Sequence, residues 1–324
     1  MHTHLIKDDR IQLSALLKSG LSIRACSKQL GFSPPGISKE ISKNGGRKKY
    51  NPYNAHKRYL EQRNEANQCH RKIGRDQKLT DKVLELLGKD WSPEQIVGRM
   101  LLEWGFVLTS ATSIYNYVNP RKELHVLLPR KCNKYRRTRA GNLRKVFRAE
   151  ISNKKSIDSR PEIVTNRERI GDWEGDTIVG KERTARMLTD VDRKSGYLLS
   201  DLLLKVTAEL IRESQVKLFK PIPRSKKHTL TQDNGMELSE YELLEKECKI
   251  DIYHANAYHS WERGTSENTN GLVRRYFPKG TVFSTIDPRY FKKVINKINH
   301  RPRKRLGYKT PYEVFHGVNI RTLI

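Results

Sequence analysis

The sequence predicts a multidomain protein with an all-α N-terminal helix-turn-helix region followed by a mixed α/β core. Apolar residues recur at helical spacing through the first 120 residues, and from about residue 170 they follow the pattern of strands. Charge is the third observation. The 324 residues carry a net charge of +28, divided into +20 over 1–160, 0 over 161–280 and +8 over 281–324. Basic regions on both sides of a neutral core indicate a polyanionic partner, of which nucleic acid is the first candidate.

Composition excludes several classes of protein. No run of about 18 apolar residues occurs, and the N-terminus lacks an apolar leader, so neither a membrane span nor a secretory signal is expected. The four cysteines lie far apart without C-x-x-C spacing, which disfavours a disulfide scaffold or a zinc ribbon and fits a reducing cytoplasm. A nonspecifically basic protein of the ribosomal type remains open on composition alone.

Residues 1–50 have the pattern of a helix-turn-helix DNA-binding domain. A helix over 8–19 precedes two short helices, of which the first is expected to be capped by Ser22 and ended by Gly31. Ser33 has the side chain of an N-cap, and Pro34 occupies the first helical position, which needs no N–H donor. In this arrangement the segment 34–44 is the recognition helix. An ordinary pair of packed helices is the alternative, but the basic residues that follow directly favour DNA.

The DNA contacts expected of this region are polar and basic side chains on or beside the recognition helix. Serine and lysine side chains can bond to base edges or to phosphates. The candidates are Arg24, Ser33, Ser38, Lys39, Ser42, Lys43, Arg47 and Lys48.

Residues 51–120 are predicted to form a second helical unit. One helix is expected after Thr80, and Ser92-Pro-Glu-Gln95 has the form of a capping box that begins another. Thr109 or Ser110 is expected to cap a third. The charge of this unit is nearly balanced, so a second DNA-binding helix-turn-helix and a purely structural role are equally open.

Residues 121–160 are interpreted as a basic linker that becomes ordered on DNA. This stretch has 14 basic and 3 acidic side chains and a poor apolar periodicity. Arg136 and Arg137 are its candidate DNA contacts.

Residues 161–280 are predicted to form the α/β core, with elements in the order β-β-β-α-β-α-β-α. The expected elements are a strand that ends near Gly180, a hairpin of 185–192 and 195–204, a helix over 207–219, a strand over 228–232, a helix over 238–247, a strand over 251–254 and a helix over 261–276.

Three carboxylates of this core stand out by position. Asp176 lies on the first strand, Asp233 follows a later strand at the end where open α/β sheets place their sites, and Glu267 lies on the last helix. Clustered carboxylates in a basic chain are favourable where cations bind. Two Mg²⁺ ions about 3.5–4 Å apart can activate a nucleophile and stabilise the leaving oxygen in phosphodiester cleavage. Such hard cations prefer carboxylate oxygens.

Spacing alone does not select these three acids. Asp172, Glu174 and Asp176 alternate along one strand and share its face. Four more acids of the core are equally available: Asp190, Asp192, Glu237 and Glu262. On the last helix, the face of Glu267 also holds the side chains of Arg263, Asn270 and Arg274, which suit phosphate contacts.

The chain resembles the DDE transposases of bacterial insertion sequences, the IS-thirty family, whose core is similar to retroviral integrases. The motifs that carry the resemblance are Gly171-Asp-Trp-Glu-Gly-Asp-Thr-Ile-Val-Gly180, Thr231-Gln-Asp-Asn-Gly235 and Trp261-Glu-Arg-Gly-Thr-Ser-Glu-Asn-Thr-Asn-Gly271 through Gly280. The closing segment 299–315 and the N-terminal helices also fit, so that the resemblance covers nearly the whole chain.

The resemblance implies an RNase H-like (integrase-type) catalytic core, which the basic C-terminal segment 281–324 completes. It implies that Asp176, Asp233 and Glu267 are both catalytic and metal-binding, and that two Mg²⁺ ions are the cofactor, with Mn²⁺ as a substitute. Their carboxylates are expected to converge on one two-metal site. Arg263, Asn270, Arg274, Lys279 and the cluster Arg301–Arg305 are expected to contact DNA.

The implied function is that of a DNA transposase, which cleaves at the ends of an insertion element and transfers the 3′-OH into target DNA. The implied partners are double-stranded DNA, both terminal repeats and target, and further copies of the chain in a homodimer or higher oligomer. The expected location is the bacterial cytoplasm, on the nucleoid. Two alternatives stay open: a helix-turn-helix regulator without catalysis, and a nuclease with the same core but no strand transfer.

Overall fold

The structure, a computed structural model, describes residues 4–69, 72–128, 154–256 and 259–321. The candidate contacts Arg136 and Arg137, with most of the predicted linker, lie outside the described residues. The chain divides into two compact units, Met1–Asp76 and Gln77–Ile324. The division falls inside the range 51–120, which the sequence placed in one helical unit.

The first unit consists of helices α1 (Lys7–Lys18), α2 (Ile23–Leu30), α3 (Pro34–Lys43), α4 (Gly46–Lys49) and α5 (Pro52–Cys69). Its core contains Leu13, Cys26 and Ile37, each fully buried. Arg10 is also buried, and its Nε donates to Glu40 Oε1 at 2.7 Å. This ion pair joins α1 to α3.

The ends of α2 and α3 are where the local sequence predicts them. The hydroxyl of Ser22 caps α2, and Gly31 ends it in the left-handed region at φ 71°. The hydroxyl of Ser33 then accepts from the N–H of Gly36, with Pro34 at the first position of α3. The turn between the helices is therefore set by one glycine and one serine.

The second unit begins with α6 (Gln77–Gly88), α7 (Pro93–Trp104) and α8 (Ala111–Val118). Ser92 and Gln95 form the predicted capping box of α7, and Ser110 caps α8. The start predicted for α6 is wrong. Thr80 does not precede this helix but lies inside it, buried, because the helix begins one turn earlier at Gln77.

A five-stranded mixed sheet forms the centre of the second unit. Its strands are β1 (Asp172–Val179), β2 (Arg186–Asp192), β3 (Leu198–Leu203), β4 (Thr229–Gln232) and β5 (Asp251–His254). The order across the sheet is β3-β2-β1-β4-β5. The first three strands pair antiparallel, whereas β4 lies parallel to both β1 and β5.

The remaining helices are α9 (Glu162–Thr165), α10 (Ala208–Phe219), α11 (Tyr241–Cys248), α12 (Gly264–Val273), α13 (Pro288–Asn299) and α14 (Pro311–His316). Two apolar clusters form because strand side chains alternate between faces. Ile178 of β1 packs in the cluster with α12 and α13, and Trp173 of β1 packs in the cluster with α10, α11 and α14. Asp176 lies two residues before Ile178, so its side chain is on the same face of the sheet, the face that α12 covers.

The helices α6–α8 pack onto the C-terminal segment through a buried ion pair. Arg99 of α7 and Glu313 of α14 are both nearly inaccessible and form two hydrogen bonds of 2.7 Å. Next to this pair, the ring of Tyr308 lies against Gly98, so close that a Cβ there would be 2.4 Å from three ring atoms. In the described ranges, no helix combines the length and apolar character that a membrane crossing requires.

Candidate active site

Two of the three carboxylates on β1 bond to partners inside the core. Asp172 accepts from the Arg169 guanidinium at 3.0 and 3.1 Å and from the hydroxyl of Thr229. Glu174 pairs with Arg193 at 2.5 Å and accepts from the backbone N–H of Ser266 at 2.7 Å. Both carboxylates are fully buried. Neither is open to a ligand.

The third carboxylate of β1, that of Asp176, faces Asp233 across one guanidinium. Arg263 Nη1 lies 3.3 Å from Asp176 Oδ1, and Arg263 Nη2 lies 3.6 Å from Asp233 Oδ2. The side chains of Asp176 and Asp233 are 26% and 36% exposed, in contrast to Asp172 and Glu174. Because β4 lies parallel to β1, the chain leaving β4 carries Asp233 to this place.

Helix α12 supplies the other groups around Asp176. Asn270 Nδ2 donates to Asp176 Oδ2 at 2.8 Å, and Asn270 Oδ1 accepts from the Thr189 hydroxyl at 3.1 Å. Arg263 lies just before the helix and Asn270 two turns later, so both reach the same strand. Glu267 lies between them on this side of α12, and its side chain is exposed. Arg274 instead donates to the carbonyl of Val179 at 2.9 Å.

The structure thus brings Asp176 and Asp233 together at Arg263, whereas the convergence of Glu267 with them stays a prediction. Within the described residues, no group of three His, Cys, Asp or Glu side chains is close enough to hold a metal ion. The charge between the two aspartates is supplied by Arg263, whose buried Nε has no hydrogen-bond partner in the part of the chain that the structure describes. The carboxylate oxygens of Asp176 and Asp233 are nevertheless the hard ligands that Mg²⁺ prefers. The space between them already holds the positive charge of Arg263.

Burial and charge set the titration of this region. Burial raises the pKa of Asp176, the nearby Asp233 raises it further, and Arg263 and the Thr177 N–H act in the opposite direction. Burial lowers the pKa of Lys154, against the attraction of Asp233. Burial and the charge of Lys154 together lower the pKa of His254 to about 4, so this imidazole is neutral at pH 7.

Three residues of this site were missed by the sequence analysis. Lys154 Nζ donates to Asn234 Oδ1 at 3.3 Å, from a position 80 residues away, and nothing in the local pattern marks it. Thr189 pairs directly opposite Asp176 in the β1–β2 register, which the predicted hairpin could have suggested. Glu237, weighed only as a competing acid, accepts from the Thr177 hydroxyl at 3.4 Å.

The candidate DNA contacts of the first unit lie on its surface. Ile37 and Ile41 are buried, and the opposite side of α3 exposes Ser38, Lys39, Ser42 and Lys43. Arg24, Ser33, Arg47 and Lys48 are also exposed, although Arg47 donates to the carbonyl of Leu21. In the second unit, Lys279 is exposed. Their contact with DNA stays a prediction.

The chain has extensive similarity to known transposases. It is 35% identical over 322 residues to the transposase for insertion sequence element IS4351 of Bacteroides fragilis, which covers 98% of this chain and 97% of that protein. It is 33% identical over 320 residues to transposase InsI for insertion sequence element IS30A of Escherichia coli K12, covering 96% of this chain and 83% of that protein. No family model matches the chain.

Two solved structures match part of the chain at low similarity. One is a simian T-cell lymphotropic virus intasome in complex with PP2A regulatory subunit B56 gamma, with TM-score 0.39, 20% identity, and coverage of 47% of this chain and 57% of that chain. The other is the catalytic core domain of BIV integrase, with TM-score 0.36, 19% identity, and coverage of 46% and 95%. Both TM-scores are below 0.5, so the likeness is too weak to assign a fold or a function to this chain.

The mixed sheet, with three antiparallel strands followed by two parallel ones and two acids meeting beside its centre, fits the RNase H-like class of α/β cores that the sequence predicts. The near full-length identity to the two transposases is more specific than the fold. The chain belongs to the IS30 (IS-thirty) family of transposases.

Proposed function

We propose that this protein is a DNA transposase that cleaves at the ends of its insertion element and joins the freed 3′-OH to target DNA. The main observation in support of the proposal is that Asp176 and Asp233 both lie beside the guanidinium of Arg263. These are the two acids that the family resemblance assigns to catalysis. The neighbouring carboxylates of Asp172 and Glu174 are already bonded inside the core. Membership of the IS30 family supports the same function.

Asp176, Asp233 and Glu267 would hold two Mg²⁺ ions. When bound, these ions activate the attacking water or 3′-OH and stabilise the charge on the leaving oxygen. The protein's own residues prepare the site. Asn270 fixes Oδ2 of Asp176, while Oδ1 accepts from the Thr177 N–H and lies beside the Arg263 guanidinium. When no metal is present, Arg263 places one positive charge against the two aspartates.

DNA recognition is assigned to the first unit. A helix with buried isoleucines on one side and exposed serine and lysine on the other has the surface that the major groove accepts. The basic residues of 121–160 and 281–324 would supply sequence-independent affinity through phosphate contacts. Joining two element ends in one complex requires at least two copies of the chain.

The test is cleavage of a labelled duplex that carries the element's terminal repeat. The purified full chain is expected to cut it in Mg²⁺, and Asp233→Asn is expected to lose at least about a thousandfold in rate, since charge stabilisation by a bound metal contributes several kcal/mol. Binding of the uncut duplex should be nearly unchanged. The matched control is Asp251→Asn, which makes the same change at an exposed carboxylate at the start of β5 and should retain cleavage.

The outcomes separate the alternatives. Undiminished cleavage by Asp233→Asn would contradict the assignment of this acid. Cleavage by the wild type without strand transfer from a pre-cut end would favour a nuclease. Binding without any cleavage would favour a helix-turn-helix regulator.

A further inference from the structure

A cavity on the second unit is rich in arginine. It has a volume of about 90 Å³, several times the space that one water molecule needs. Among the described residues, its lining contains three arginines, two glycines and polar side chains of α12, and no carboxylate: Arg167, Gly196, Gly264, Thr265, Asn268, Thr269, Arg303 and Arg305.

Each of the three guanidinium groups is positioned by a hydrogen bond to another part of the protein. Arg167 donates to the Thr265 hydroxyl at 3.1 Å, Arg305 to the carbonyl of Lys194 at 2.8 Å, and Arg303 to the carbonyl of Ile298 at 3.1 Å. A guanidinium has five N–H donors, so each retains donors for a ligand. Fixed arginine forks are the groups that bind phosphate in a bidentate manner.

Charge repulsion within this group is substantial. Burial, together with repulsion from Arg301, Arg305 and Arg275, lowers the pKa of Arg303 to about 9. Burial and the charge of Arg167 lower the pKa of Arg305 as well. Asp192 and Glu174 attract Arg305, but each is buried and bonded to other groups of the core. An anion in the cavity would relieve this repulsion.

Backbone features shape the cavity for such a ligand. Arg167 has a positive φ of 58°, a conformation that a residue other than glycine rarely adopts, directly after the end of α9. Gly196 leaves room for the Arg305 side chain, since a Cβ at position 196 would lie 2.6 Å from Arg305 Nη2. The first turn of α12, with Gly264 and Thr265, also lines the cavity, and a helix N-terminus favours anions.

We infer that this cavity binds one phosphate group of the DNA backbone, at the N-terminal end of α12, the helix that also contacts Asp176. The inference rests on the proposed function and deepens it. At about 100° per residue, Thr265 and Asn268 lie about 140–160° around the axis of α12 from Arg263, which contacts Asp176. A DNA strand that passes over the N-terminal end of α12 would therefore meet the arginines on one side of the helix and Asp176 on the other. Inorganic phosphate has the same chemistry and is the other source of the ligand.

The experiment measures DNA affinity of the full chain by fluorescence anisotropy at several salt concentrations, without divalent metal. For duplex DNA, the slope of log affinity against log salt has a magnitude of about 0.9 for each phosphate that the protein neutralises. Arg167→Gly and Arg305→Ala should each reduce the slope by about that amount. Arg167→Gly is the safer variant for folding, because glycine accepts the positive φ at this position.

The matched control is Lys304→Ala, which removes an exposed charge between the two arginines of the same segment but outside the lining. It should change the slope by clearly less than either arginine variant. An equal change in Lys304→Ala would mean a diffuse basic surface and would overturn the inference. Unchanged slopes in both arginine variants would overturn it too.

A second arm distinguishes the source of the phosphate. The thermal midpoint of the wild type should rise with inorganic phosphate, and less so in Arg167→Gly. If phosphate stabilises the wild type while the DNA slope is the same in wild type and variants, the cavity is a site for free anions and the inference fails. Because no cleavage is involved, a failure of the proposed catalysis would leave this readout intact.

Discussion

The buried ion pair between Arg99 and Glu313 offers a sharp test of how the second unit is held together. The two hydrogen bonds from Arg99, with backbone N–H groups of Thr310 and Ile320, outweigh the effect of burial and lower the pKa of Glu313 from 4.5 to about 2. A difference of about 2.5 pKa units corresponds to about 3 kcal/mol of stability. Glu313→Gln removes this charge and leaves Arg99 paired with Glu103 alone.

We expect Glu313→Gln to lower the free energy of unfolding at pH 7 by about 3–5 kcal/mol, the usual result of breaking a buried pair. Because the folded pKa of Glu313 is depressed, its contribution is present above the ordinary pKa of 4.5 and is lost as the pH falls toward 2. The difference between wild type and variant should therefore shrink by about 2 kcal/mol between pH 7 and pH 3.

The assay is urea unfolding of the full chain, followed by tryptophan fluorescence. All 4 tryptophans lie beyond residue 76, so the signal reports the second unit. Glu85→Gln is the control, since Glu85 forms its ion pairs at the surface, where such pairs contribute at most about 1 kcal/mol. A loss below 1 kcal/mol in Glu313→Gln, or a loss that does not change with pH, would refute the reasoning.

Two further predictions concern α7 and the candidate active site. Gly98→Ala should destabilise the second unit by about 1–3 kcal/mol in the same urea assay, because the new Cβ would meet the Tyr308 ring, whereas Gly88→Ala meets nothing within 4 Å and should be neutral or stabilising. Arg263→Met should lower the thermal midpoint in chelator and gain more from added Mg²⁺ than the wild type does, since the metal no longer competes with the guanidinium. Equal gains in both proteins, with Lys279→Met as the control, would argue against a metal site at Asp176 and Asp233.

Local signals in the sequence were enough to predict the order of the core elements and several helix ends. Ser22 and Ser33 begin helices because their hydroxyl groups accept orphan N–H donors, and Gly31 ends one by adopting a positive φ. These interactions span three or four residues, so they are visible in the chain itself. Thr80 shows the limit of this approach. It looks like an N-cap but lies inside α6, where burial decides its place.

The candidate site could be predicted only in part, because its decisive contacts are distant in sequence. Periodicity places Asp172, Glu174 and Asp176 on one face of a strand and cannot rank them. The structure distinguishes them by their partners: Glu174 accepts from the N–H of Ser266, 92 positions away, while Asp176 stays partly exposed. No local pattern indicates that an arginine stands between Asp176 and Asp233, because Arg263 lies 87 positions from the first and 30 from the second.

The arginines of the second unit show why net charge alone does not locate a DNA-binding surface. Arg99 and Arg193 each pair with a buried carboxylate, so their charge is neutralised inside the protein. Arg263 is shared between two aspartates and becomes available only if another cation replaces it there. Arg167 and Arg305 line a cavity that contains no carboxylate among the described residues. We therefore expect the affinity of the protein for phosphate to fall most when Arg167 or Arg305 is replaced and least when Arg99 is replaced, although all three side chains carry the same charge.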